Sequence, residues 1–199
     1  MKPGPEKQFD PEAALSQAID VFLARGYEAA SLSELTTAMG IGKKSLYDTF
    51  GNKRSLFLKA LSQYSQTSSS RIREILFDPA SGSTIENIRK LLTGWLDMHS
   101  ACGSKGCLIG TSIADFDTSD EEIAAALRRS LEQIEDALTE AIAKSEADGE
   151  IILNTSPRNI ARTILCLSQG VALVGRVMTS GDIIESALNV AESEILTTA

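Results

Sequence analysis

The chain has 199 residues, 43% of them apolar and 5% aromatic, which suits one domain or two small ones with a real core. No apolar run approaches the roughly eighteen residues that a membrane helix needs, residues 1–8 (M-K-P-G-P-E-K-Q) hold no apolar secretory segment, and three unevenly spaced cysteines make no disulfide framework. The expectation is a cytoplasmic protein with no membrane partner. The net charge of −8 is uneven: residues 1–60 hold eight basic against seven acidic side chains, and the remainder 11 against 20. Phosphate contacts need local cations rather than a basic total, so a nucleic-acid-binding segment near the N-terminus remains open.

Residues 1–8, with two prolines and a glycine, read as a mobile arm. Asp10 as N-cap and Pro11 at the first helical position open a helix. Its buried face is Leu15, Ala18, Ile19, Phe22 and Leu23, at the i, i+3, i+4, i+7, i+8 steps, and Gly26 stops it. Over residues 31–50 two short helices follow. Ser31 and Glu34 fit a capping box. Leu32, Leu35 and Ala38 supply an apolar face. Gly40 closes the helix and Ile41 plugs the turn. Gly42 is an N-cap, and from Lys43 the next helix turns Leu46 and Phe50 inward, leaving Lys43, Lys44, Ser45, Tyr47 and Thr49 outward. A glycine turn between two short helices, the second basic and hydroxyl-rich, describes a helix-turn-helix whose second helix enters the major groove.

Asn52 caps a fourth helix over about residues 53–77. Leu56, Phe57, Ala60, Leu61 and Tyr64 dock its start, while S-Q-T-S-S-S (65–70) should be largely solvated. After a loop at 78–82 the periodicity stays helical. Ser83 and Glu86 suggest a capping box for a fifth helix carrying Ile85, Ile88, Leu92, Trp95, Leu96 and His99 to a break at Gly103. A short sixth helix spans about 106–115. Thr118 and Glu121 cap a seventh with Ile123, Leu127, Leu131, Ile134, Leu138 and Ile142 in step. Ser156-Pro157 opens an eighth whose stripe is Ile160, Ile164, Leu167, Val171, Val174 and Val177, with Cys166 in its core. Gly181 separates a ninth with Ile184, Leu188 and Ile195.

Residues 9–61 resemble the DNA-binding domain of the TetR/AcrR family of bacterial repressors. The resemblance is carried by A-I-D-V-F-L-A-R-G-Y (18–27), S-L-S-E-L (31–35), G-I-G-K-K-S-L-Y-D-T-F-G-N-K (40–53) and S-L-F (55–57). It implies an all-α fold of about nine helices: an N-terminal three-helix head over 1–52, and a ligand-binding and dimerisation body over 53–199. It also implies a homodimer built by the last two helices (about 155–196), a palindromic double-stranded operator, and a small-molecule effector enclosed by helices four to seven. No enzyme activity, cofactor or metal site is expected. Gly42 stands where the family commonly has Ser, Lys44 where it has Gly, and Asp48 where it has His, so a known operator sequence does not transfer.

The family pattern makes Ser31, Lys43, Lys44, Ser45, Tyr47, Thr49 and Lys53 the DNA-contacting set. Ser31 serves as cap and phosphate contact, or as cap alone. Asp48 is expected to pair with a neighbouring lysine. The effector pocket is expected to draw on Trp95, Met98, His99, Cys102, Cys107, Ile113 and Phe116. Cys102 and Cys107 flank G-S-K-G, where Lys105 could lower a thiol pKa and make a redox or electrophile sensor. They also read as small apolar residues at a helix junction. His99, the only histidine, has neither a second His nor a C-x-x-C to build a zinc or catalytic site with.

Overall fold

The computed structural model describes residues 9–100, 106–117, 119–178 and 182–195, without the side chains of residues 100, 184, 188 and 191–195. The N-terminal arm, Cys102, Gly103, Lys105, Thr118 and Gly181, and the side chains of Ile184, Leu188 and Ile195, lie outside the described residues. The described helices are α1 (Pro11–Ala29), α2 (Leu32–Ala38), α3 (Lys43–Phe50), α4 (Lys53–Leu76), α5 (Thr84–Ser100), α6 (Leu108–Asp115), α7 (Glu121–Ala147), α8 (Pro157–Val174) and α9 (Asp182–Ile195), with a 3-10 turn at Pro79–Ser81.

Local signals place the first four helices. Asp10 accepts the Glu12 N–H at 2.9 Å, with Pro11 in the first turn. Gly26 takes φ 78°, a left-handed value that breaks α1 and leaves one turn beyond it. Ser31 and Glu34 close the expected capping box. At the other end of α2 the Gly40 N–H reaches Thr37 O at 3.2 Å and the Ile41 N–H reaches Thr36 O at 3.1 Å, a Schellman closure around Gly40 at φ 65°. The inward face of α2 is Leu35 and Met39; Ala38 is exposed, because 35 to 39 is the four-residue step that stays on the core side. Asn52 accepts the Ser55 N–H at 2.8 Å and starts α4.

One apolar cluster runs from head to body. Phe22 and Phe57 are fully buried and meet edge-to-face at 5.2 Å, and the Tyr27 ring tilts against Phe57 with centres 4.7 Å apart. Each of the two phenylalanine rings contributes about 1.5–3 kcal/mol by burial. The long helix α4 therefore belongs to both regions. Its middle is not simply solvated as expected: Ser65 is buried and its hydroxyl lies 2.6 Å from that of Ser130 on α7. The α7 stripe of Ile123, Leu127, Ile134, Leu138 and Ile142 faces inward as its spacing predicts.

Four expectations fail, the first because a distant segment supplies the partner. The N-terminus of α5 is capped by Glu150, far along the chain: its carboxylate accepts the Thr84 and Ile85 N–H groups at 3.0 and 2.8 Å, while Glu86 is exposed. Partial burial opposes ionisation of Glu150, but bonds from Ser145, Ile85 and Thr84 outweigh it and hold its carboxyl below the ordinary range. At α7 the N-cap is Asp120, accepting the Ile123 N–H at 3.2 Å, rather than Thr118. On α8, Cys166 is exposed, not core, and Val177 lies beyond the helix end, 80% exposed. The small residues there have separate uses. A methyl at Gly175 would fall 2.2 Å from the His99 carbonyl oxygen, so Gly175 serves close packing on α5 within the chain. Gly170 faces open space.

Candidate nucleic-acid interface and cavity

The outward face of α3 carries Lys43 and Lys44, both exposed, and Tyr47, 50% exposed. Ser45 and Thr49 are half-buried. Neither lysine nor Asp48 makes an ion pair with a described residue, so the bridge expected for Asp48 is absent there. Exposed cations without carboxylate partners are what a phosphate surface requires. Ser31 is engaged elsewhere: its N–H and its hydroxyl both donate to Glu34, at 3.1 and 2.8 Å, and those bonds hold the Glu34 carboxyl below its ordinary range. The donors left for a phosphate at this helix end are the Leu32 and Ser33 N–H groups, which have no intrahelical acceptor.

Lys53 is held apart from the α3 face. Its ammonium donates to Glu28 O at 3.1 Å and sits 4.7 Å from the Tyr27 ring centre. Sequence reasoning missed Lys59, whose ammonium donates to Thr49 O at 3.2 Å and so neutralises the carbonyl end of α3.

The body grips the head through the segment linking α6 to α7. Asp115, at the end of α6, accepts the Glu28 N–H at 3.1 Å. A methyl on Gly26 would fall 2.6 Å from the same carboxylate oxygen, so glycine serves here both the backbone turn and the close approach. Arg54 makes a forked contact with Asp120, at 2.6 and 2.7 Å, and reaches Glu122 at 2.6 Å. The Arg54 guanidinium holds the Asp120 carboxyl down at about 2, and the two carboxylates keep the guanidinium charged.

A cavity of about 320 Å3 lies inside the body, walled by α4, α5, α6, α7 and α8. Of the expected pocket residues, Trp95, Met98, His99 and Cys107 line it. Ile113 does not; it is 45% exposed on the outside of α6. Phe116 does not either; it sits at the head junction beside Tyr27 and Arg54. Cys102 is outside the described residues. Sequence reasoning missed Tyr64, Thr67, Ser68 and Arg71 of α4, and Ser168 and Gln169 of α8. The available signal was the polar run 65–70: serine and threonine in the middle of a helix that crosses a body mark a lined space as readily as a wet surface. The Tyr64 hydroxyl donates to Cys107 Sγ at 3.7 Å. Burial pushes the Tyr64 phenol up, with Cys107 adding to it, and burial pushes His99 down, so both are uncharged near neutral pH. Among the described residues no three His, Cys, Asp or Glu side chains are grouped to hold a metal ion, and no helix is long and apolar enough to cross a membrane.

Residues 14–60 match the bacterial regulatory proteins of the tetR family, and residues 84–191, more than half of the chain, match the tetracyclin repressor-like C-terminal domain. The chain belongs to the TetR family. Among curated relatives it is 35% identical over 149 residues to the uncharacterized HTH-type transcriptional regulator YezE of Bacillus subtilis, covering 74% of this chain and 76% of YezE. It is 32% identical over 123 residues to the repressor BdcR of Escherichia coli, covering 61% of each. Among solved structures it resembles a cysteine-substituted CifR bound to a 26-base-pair double-stranded operator, at 26% identity and TM-score 0.83 over 96% of this chain and all of that one. Reduced Escherichia coli NemR, at 22% identity and TM-score 0.83 over 94% and 96% of the two chains, shares the fold. This TetR-family chain is thus a DNA-binding transcription regulator, all-α, with its helix-turn-helix in α2 and α3.

Proposed function

We propose that the protein is a homodimeric repressor, acting in the cytoplasm, that grips a palindromic operator with two copies of α3 and releases it when a small molecule fills the body cavity. Residues 1–52 form the DNA-binding unit and residues 53–199 the effector-binding and dimerisation unit. Lys43, Lys44, Ser45 and Thr49 meet phosphates or base edges, Tyr47 with Lys53 holds phosphates, and Ser31 marks the helix end whose free N–H groups face the DNA backbone. Two copies are needed because one head reads too few base pairs, and a palindromic site mirrors a two-fold protein. Residues 155–196 carry that contact, and the exposed apolar side chains Val174, Val177, Ile183 and Val190 in this region support it.

The observation that carries the reading is the placement of α6. It starts at Cys107 on the cavity wall and ends at Asp115, which grips the Glu28 N–H three residues before Ser31. A molecule that binds one setting of α6 better than another biases the head in proportion to that difference. The test is fluorescence anisotropy on DNA from the gene's own upstream region, with light scattering for stoichiometry. Two protomers per site and a preference of about a thousandfold or more over random DNA are expected, within the usual range for specific binders. Absence of sequence-selective binding would defeat the proposal.

A second reading keeps the scaffold and replaces reversible filling by thiol chemistry at Cys107, with Cys102 as its partner. It is favoured by the position of the Cys107 sulfur in the cavity wall at the head of α6. Operator binding lost with peroxide and restored by reductant supports it; Cys107→Ser keeping the full response to oxidant removes it.

A further inference from the structure

We propose that Asp48 fixes one base of each operator half-site by accepting a hydrogen bond from the exocyclic amino group of a cytosine in the major groove. This rests on the reading that α3 enters that groove, and it adds a specificity-determining residue and the base it selects.

Position on the helix is the first argument. Leu46 and Phe50 are the buried side chains of α3. Asp48 stands two residues from each, so at ~100° per residue it lies about 160° round the helix from both. No other residue of α3 is turned so fully away from the core. Lys44 comes next, and both are exposed. Lys43 and Tyr47 lie nearer the edges of the buried stripe. A helix laid in the groove with its core side away from DNA points its outermost residues at the base edges and its flanks at the two phosphate strands. Asp48 is therefore the side chain of α3 aimed most directly at the floor of the groove.

Charge is the second argument. Asp48 makes no ion pair with a described residue, although Lys44 precedes it by four. Cation before anion is the weaker order for a helical pair. Lys59, which α4 brings to this end of α3, donates to Thr49 O at 3.2 Å instead. The carboxylate thus reaches DNA without a partner of its own. Duplex DNA carries one negative charge per ~1.7 Å of axis, so a carboxylate that meets phosphates only weakens binding. It accepts and cannot donate, so it gains from DNA only where a base offers a donor.

The groove offers two such donors, cytosine N4 and adenine N6. The adenine amino group lies between two acceptors, its own N7 and the O4 of the paired thymine, and both repel a carboxylate. The cytosine amino group has guanine O6 on one side and only a C–H on the other, so it is the better donor for Asp48. Lys44, one turn earlier on the same face, brings the cation that guanine O6 and N7 accept.

The test is selection of bound sites from a randomised double-stranded DNA pool by the full-length protein and by Asp48→Asn, Asp48→Ala and Lys44→Ala, followed by affinities for the selected site and for random DNA. The unaltered protein should select a C·G pair at one position of each half-site and lose about tenfold in affinity when that pair is changed. Asp48→Asn should select adenine on the strand that carried the cytosine, because an amide pairs with N6 and N7 together. Asp48→Ala should lose the preference at this position alone and bind random DNA about two- to fivefold more tightly, since a negative charge has left the interface. The melting temperature should stay unchanged at so exposed a site, which separates these effects from misfolding. A cytosine preference that survives in Asp48→Ala overturns the proposal and leaves Asp48 a solvated surface charge. A base other than cytosine at the position that Asp48→Ala erases overturns the assignment of the donor. If Lys44→Ala and both Asp48 variants all select the unaltered site, α3 is not the reading helix, and that wider reading falls together with the proposal.

Discussion

The α3 face and the cavity are built on opposite plans. The reading surface is assembled from one stretch, 31–50, in which caps, turn glycines and outward lysines lie within a few residues of one another. The cavity wall takes side chains from Tyr64 to Ala172, on five helices, and no segment of the chain contains it. The first is exposed and cationic in an acidic protein; the second lies between helices, opens to solvent at Arg71 and Met98, mixes apolar with polar side chains, and is free of described carboxylates. A surface that meets a fixed polymer can be specified locally, whereas a space that admits a small molecule exists only after packing. What joins them is a shared core at Phe22, Tyr27 and Phe57, and the grip of Asp115 on Glu28.

The largest test of that contrast is to break the shared core. Phe57→Ala should cost about 3–5 kcal/mol, as for other fully buried aromatics. Because one cluster spans both regions, chemical denaturation followed by head and body probes should still show one coincident transition at lower denaturant. Two separated transitions would mean that the regions fold independently. Next in size, Lys44→Ala should weaken operator binding about tenfold and reduce the salt slope by about one, while leaving the cavity's binding of a small hydrophobic probe, followed by Trp95 emission, unchanged. A parallel loss at the cavity would erase the distinction between the two plans.

Asp115→Ala should separate the regions without disabling either. Operator and cavity probe should each bind, but occupancy should no longer change operator affinity, measured as the ratio of operator Kd with and without the probe. Asp115→Asn should retain most of the coupling, since an amide oxygen still accepts the Glu28 N–H. An undiminished ratio in Asp115→Ala would place the link elsewhere.

Smaller still is a pH effect at the same junction. Asp120 ionises at about 2 in the folded protein against an ordinary value of 3.8. A lowered folded-state pKa adds stability that is complete above 3.8 and disappears as the pH falls through 2. Asp120→Asn keeps an N-cap and loses the charge. The Tm difference between the two proteins should be constant from pH 7 to 5 and shrink below about 4. A difference that changes near neutrality would point to another group. The smallest effect belongs to Cys166→Ser, an exposed site, where stability should move by no more than about 0.5 kcal/mol.

The head was legible because its signals are short-range. A capping box spans four residues, a Schellman turn six, and Gly26, Gly40 and Gly51 each announce a positive φ where a helix ends. Legibility falls where partners are distant. Glu150 capping α5 replaces a Ser83–Glu86 box that looks sound by spacing, because it satisfies the same N–H groups from another element. Cys166 sits among apolar neighbours in the sequence, yet Ile160, Ile164 and Val171 define a face that leaves residue 166 outward. The cavity residues on α5 follow from what the family resemblance implies, whereas those on α4 and α8 do not, since a serine that lines a cavity and one that meets water look alike in sequence.

By itself the sequence determined the helix count, their limits to within a few residues, the helix-turn-helix, and which cations reach outward from it. These depend on hydrogen bonds and periodicities closed within one or two turns of chain. Only the tertiary structure decided which polar side chains are spent on distant partners, as Lys53 is on Glu28, and which line the space between the helices, as Tyr64 and Ser168 do. Burial and hydrogen-bond partnership depend on what a distant segment brings to the same point, and that is set when the helices pack.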